Sequence, residues 1–141
     1  MTSFQDLARA YLVKARVRRK TLDTFLAEED FSDVVRESQS VVELAGKAVL
    51  RTIGVEPPKL HDVGSLILEY RDRLPAGPWD ELARESKWLR KERELAFYGD
   101  VDFIPTDEYT RQDALRAITA ADLAIILAGT VLEPKGVDDS R

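Results

Sequence analysis

Cysteine is absent from all 141 residues, so neither a disulfide framework nor thiol catalysis is open to this chain. A single histidine, His61, leaves too few nitrogen and sulfur donors for a zinc or iron centre. A magnesium site built from carboxylates stays open on composition alone. No glycine-rich phosphate loop, nucleophile elbow or paired-histidine spacing occurs, so no metal site and no cofactor are expected. No signal-like apolar run opens the sequence, and no uninterrupted apolar stretch has the length to span a bilayer, which leaves a cytoplasmic protein with no membrane segment as the expectation. A basic excess is also missing. The net charge of −5 argues against a general nucleic-acid coat, although a local basic patch can persist within it.

What the chain does have is helical periodicity. With 44% hydrophobic and 33% charged residues, it has the balance of one globular domain, large enough to bury a core without staples. The stretch from Trp79 to Asp100 combines the densest charge with an apolar stripe. Leu82, Ser86, Leu89, Arg93, Ala96 and Phe97 follow spacings of three and four, so they share one helix face. Ser86 is small and fits there. Arg93 puts an obligatory charge on the inward line and must reach solvent or a partner. Trp88 and Leu95, seven apart and roughly opposite, form a second apolar spot that a crowded bundle or a subunit interface would cover.

Four further segments read as helices. Ser3 precedes Asp6 in a cap-like pair, and a stripe from Phe4 to Leu26 follows to about Glu28. Its middle carries Lys14, Arg16, Arg18, Arg19 and Lys20, either a solvated face or a phosphate-facing patch. Asp30 can cap the next helix, about Phe31 to Ile53, the best amphipathic pattern in the chain. Ser38 and Gly46 on or beside its stripe point to a close neighbour, and Gly54 stops it before Pro57 and Pro58. Asp62, or less well Ser65, caps a short helix with Leu66, Ile67 and Tyr70 as its apolar positions. Leu74 to Pro78 is a loop, and Pro78 suits the first turn of the Trp79 helix. Residues 101–109 read as a loop anchored by Phe103 and Ile104. Thr110 and Asp113 then open a last helix, about Arg111 to Leu132, apolar over most of its circumference. Residues 133–141 read as a disordered tail beyond a domain of residues 1–132. The sum is all-α, an antiparallel bundle of four to five helices.

His61 stands at a loop-to-helix junction, where it can bond a loop carbonyl or a carboxylate, or serve a ligand. Tyr98 and Asp100 flank Gly99 at the end of the charged helix, and Glu94 follows Arg93. Arg93, Glu94, Tyr98 and Asp100 could bind phosphate and position a ribose hydroxyl, or simply form a capped, salt-bridged helix end.

In order and spacing the chain resembles the HEPN domain family. The resemblance rests on a small-residue-rich helix holding Ser38 and ending in Lys47-Ala48-Val49-Leu50. A glycine turn follows, then Pro58, His61 and Asp62, and then Arg-Glu-x-Ala-x-Tyr-Gly-Asp from Arg93 to Asp100. It covers about Leu7 to Ala128. The resemblance implies a helical bundle that commonly dimerises, nucleotide or RNA binding, and often a toxin–antitoxin pairing with a minimal nucleotidyltransferase. Many members are metal-independent ribonucleases carrying an Arg, four to six residues, then a His, with two copies facing across the dimer. Here the Arg matches Arg93, but Tyr98 stands five places on and no His follows. A phenol of pKa near ~10 is a poor base at neutral pH. The resemblance therefore implies a binding site made of Arg93, Glu94, Tyr98, Asp100 and His61, with Arg93 and Tyr98 the candidates should the site be catalytic. A structural or regulatory dimer that binds a partner protein is the alternative from another class.

Overall fold

The computed structural model describes residues 3–57, 62–98 and 108–134; residues 93–98 are described as helical backbone. The helices are α1 (Phe4–Ala27), α2 (Phe31–Thr52), α3 (Val63–Glu69), α4 (Trp79–Tyr98) and α5 (Arg111–Leu132), with a short 3-10 turn at Arg71–Arg73. No strand occurs among the described residues.

Local chemistry sets most of the helix starts. The Ser3 hydroxyl accepts the Asp6 N–H at 3.1 Å, and the Asp6 carboxylate accepts the Ser3 N–H at 3.3 Å. Thr110 and Asp113 repeat the exchange at 3.1 and 3.0 Å. Asp30 caps α2 through the Asp33 N–H, and Asp62 caps α3 through the Gly64 N–H at 2.9 Å. Ser65 adds to the Asp62 cap by donating to its other oxygen. At the start of α4 the Pro78 carbonyl accepts the Leu82 N–H, so the proline sits one place ahead of the first helical residue. Gly54, at φ +81°, ends α2 in a left-handed conformation that a side chain would resist.

The four long helices run alternately up and down, so α5 lies antiparallel to α1, as the pairs Arg16–Glu133 and Glu29–Arg111 show. α2 is the central element and packs against α1, α4 and α5, while α1 and α4 take the flanks. Alanine makes this arrangement possible. Ala114, Ala117, Ala120, Ala121, Ala124 and Ala128 are all buried on α5 and let its backbone approach α2 closely. Gly46 of α2 does the same for α3, because a Cβ there would stand 2.7 Å from Val63. By length and composition α5 could cross a membrane, which departs from the expectation that no stretch in the chain could. Its alanine face instead forms part of the core, and its Asp122 is ion-paired to Arg19 of α1.

Trp79 opens α4 inside the core, and Tyr109 is tied to its second half. Trp79 is 1% exposed, and its indole N–H donates to the Pro75 carbonyl at 2.8 Å. Tyr109 is buried, and its hydroxyl donates to both the backbone and the carboxylate oxygens of Glu92. Burial, with the Glu92 charge beside it, pushes the Tyr109 phenol well above its ordinary range, so it stays a neutral donor. At the far end Arg16 grips Glu133 with two bonds, at 3.1 and 2.8 Å, so the chain remains anchored one residue past α5. The disordered tail was expected over residues 133–141; Glu133, its first residue, is held by Arg16, and residues 135–141 lie outside the described residues, as do Phe103 and Ile104.

Candidate functional site

The inward line of α4 begins as its spacing predicts. Leu82 and Leu89 are buried, and Ser86 between them is buried with its hydroxyl donating to Asp62. Asp62 thus caps α3 and ties it to α4 at once. Position 93 continues this line by one more turn of regular backbone. The side chains of Arg93, Glu94 and Tyr98 lie outside the description, as do His61 and Asp100 altogether, so the structure does not test whether they converge.

Beside this half of α4, α2 presents polar groups that the periodicity did not reveal. Gln39 is buried, and its amide N–H donates to Glu43 at 2.9 Å, while its Oε1 has no partner. An unsatisfied buried acceptor marks a place where a ligand or a water would be bonded. Burial works to raise the pKa of Glu43, but the Gln39 bond and the charges of Lys47 and Arg90 outweigh it. The carboxyl is held below its ordinary value, and the pull of Arg90 places Glu43 of α2 next to α4.

The basic run of α1 does not form a phosphate-facing patch. Arg16 is bound to Glu133, Arg18 to Glu37 and Arg19 to both Asp122 and Asp23. Three of its five cations are thereby committed to carboxylates, most of them outside α1. Because those acids lie up to 117 residues away, no local pattern could have shown it.

The family model of the HEPN domain matches residues 8–127. The chain belongs to the HEPN domain family. The match spans α1 through most of α5, so the whole bundle described above is the HEPN domain. No curated protein matches the chain. This all-α bundle agrees with the fold that the Ser38–Leu50 and Arg93–Asp100 motifs implied.

The HEPN bundle carries an open polar groove on the outer face of α2, about 310 Å³, lined by Arg18, Arg36, Ser40, Glu43 and Lys47 among others. Its charges are largely compensated from within. Arg18 and Arg36 both bond Glu37, and Lys47 lies 3.3 Å from Glu43. Glu43 therefore gives a pH signature to this face. Its pKa is lowered in the folded state, so its stabilisation is complete above the ordinary value of 4.5 and is lost as pH falls through the folded value. In acid titration followed by circular dichroism, Glu43→Gln is expected to lose stability less steeply than wild type below about pH 4.5. Parallel curves would contradict the assignment.

Proposed function

We infer that this HEPN domain binds nucleotide or RNA phosphate through a site centred on Arg93. We place that site in a cleft between two copies of the chain, in a cytoplasmic two-component system with a minimal nucleotidyltransferase. The observation that supports this most is the course of α4. Leu82, Ser86 and Leu89 are buried, and position 93 follows them on the same line, where an arginine needs an anionic partner or a path to solvent. In this reading Arg93 gives charge-assisted bonds to phosphate, Glu94 or Asp100 orients it, and Tyr98 stacks or hydrogen-bonds. His61 remains a ligand-binding candidate from the motif alone.

Calorimetry with a nucleotide and with a short RNA tests the assignment. Arg93→Ala is expected to weaken binding by about 2–3 kcal/mol, on the order of a hundredfold, because a charged hydrogen-bond donor is lost. Unchanged affinity would remove Arg93 from the site.

A second reading is a dimeric module that binds a partner protein. It draws on Leu115 and Ile126 of α5, which are 46% and 64% exposed. A monomer in sedimentation over a wide concentration range would remove its dimer form. A third, a metal-independent ribonuclease toxin using Arg93 and Tyr98, requires RNA cleavage in chelator that Tyr98→Phe abolishes.

A further inference from the structure

Among the described residues most arginines are ion-paired. Arg9, Arg16, Arg18, Arg19, Arg51 and Arg71 each hold a carboxylate. The outer face of α4 is different. Arg84, Lys87 and Lys91 follow one another at three and four residues, so they form a single row, and all three are exposed. None makes an ion pair among the described residues, although the chain as a whole is acidic. Of the acids on α4, Asp80 is held by Arg71, Glu85 by Arg116 and Glu92 by Tyr109, while Glu81, exposed and three residues before Arg84, forms no ion pair with it.

An aromatic ring lies beside this row. Trp88 is half-buried, and the Arg116 guanidinium of α5 stacks over its ring, 3.8 Å from the centroid. Arg116 is itself fixed by two bonds of 2.8 Å to Glu85. The ring thus lies between the core, against which it packs, and the Arg116 guanidinium that covers it, and beside it runs an open groove of about 430 Å³ lined by Arg84, Lys87, Lys91 and Arg116 as well as Glu85. A guanidinium plane backed by an indole, next to three cations that form no ion pair among the described residues, has the elements of a single-strand surface: a platform for a base and a track for phosphates.

We propose that the outer face of α4, formed by Arg84, Lys87, Trp88 and Lys91 with Arg116 of α5, is a second contact surface for single-stranded RNA. It rests on the RNA reading above and extends it from Arg93 along the same helix. The bound strand lays phosphates along the Arg84–Lys87–Lys91 row and stacks a base on the Arg116 guanidinium that Trp88 supports. Charge selects a polyanion, and the flat guanidinium selects a nucleic acid over an acidic polypeptide.

The test is fluorescence-anisotropy titration of the full chain with fluorescein-labelled oligouridylate at several salt concentrations. The triple variant Arg84→Gln, Lys87→Gln, Lys91→Gln removes exposed side chains, and its thermal melt checks the fold. It is expected to bind about tenfold to a hundredfold more weakly near physiological salt, with the slope of log K against log salt reduced by about 2. Trp88→Ala is expected to weaken binding without altering that slope, and to abolish ligand quenching of tryptophan emission. Trp88→Phe, which keeps a ring in place, is expected to retain most of the affinity should alanine disturb the Arg116 brace. Wild-type affinity and slope in the triple variant would overturn the proposal. If Arg93→Ala alone loses binding, the Arg93 site stands and the row falls; if only the triple variant does, the row stands and the Arg93 site falls. Displacement by polyglutamate as readily as by unlabelled oligouridylate would make this an acidic-protein surface and overturn the RNA assignment. No binding by wild type would overturn both.

Discussion

Trp79→Ala is expected to cost about 3–5 kcal/mol of stability, the largest effect of any single truncation considered for this chain. The indole fills the space where the loop before α4 meets the end of α5. Gly77 lies against both the ring and Leu127, so near that a Cβ added there would stand 3.0 Å from the leucine and 3.4 Å from the indole nitrogen. Truncation leaves a cavity bordered by a chain that cannot easily collapse, because Pro75 and Pro78 stiffen it on either side. It also strands the Pro75 carbonyl, which accepts the indole N–H. A domain of this size has roughly 5–15 kcal/mol in all, so the variant should fold but melt far earlier, on the order of 10 °C or more. Trp79→Phe separates the two contributions, since it keeps most of the apolar volume and loses the hydrogen bond. It should cost appreciably less than alanine. Urea unfolding followed by circular dichroism measures both, and an unchanged midpoint for Trp79→Ala would contradict the packing described.

The seam between α2 and α5 should be intolerant of added volume. Ala121 is fully buried in the middle of the alanine face. Leucine there is expected to destabilise by about 2–3 kcal/mol, since the extra methylenes must push the helices apart or twist out of their rotamers. The usual view of a core would favour the more apolar residue, so the sign of the effect is informative. Ala121→Gly provides the control. It removes one methyl and adds backbone freedom, for about 1 kcal/mol. If leucine proves no worse than glycine in chemical denaturation, the helices are not held as close as the alanines imply.

The capping pairs Ser3–Asp6 and Thr110–Asp113 were legible because a cap and its partner stand three residues apart, and the helix starts fall where they put them. The last helix occupies Arg111 to Leu132 as its periodicity predicts. The close approach implied by Gly46 is real, with Val63 as the neighbour. Other features could not be read. Trp79 looked like the first residue of a charged helix, yet it is a core residue through contacts with the preceding loop and α5. Tyr109 sat in a stretch without helical period and proves to be buried, bonded to Glu92 seventeen residues earlier. The run from Lys14 to Lys20 is largely solvent-exposed, as one of its two readings had it, but its three arginines are also held in ion pairs, most of them to acids outside α1, that spacing could not show.

The helix from Trp79 to Tyr98 contains both kinds of information. Its inward line of Leu82, Ser86, Leu89 and position 93 was determined by the sequence alone, because helical spacing depends only on the residue's own turn and the next. Which cations on its outer face remain uncompensated was decided by the tertiary structure. Glu85 is claimed by Arg116 from α5, a pairing that no spacing within α4 shows, whereas Lys87 has no acid three or four residues away and forms no ion pair among the described residues. Pairing falls off steeply with distance, so the charge that a strand would meet is set by which helices pack together.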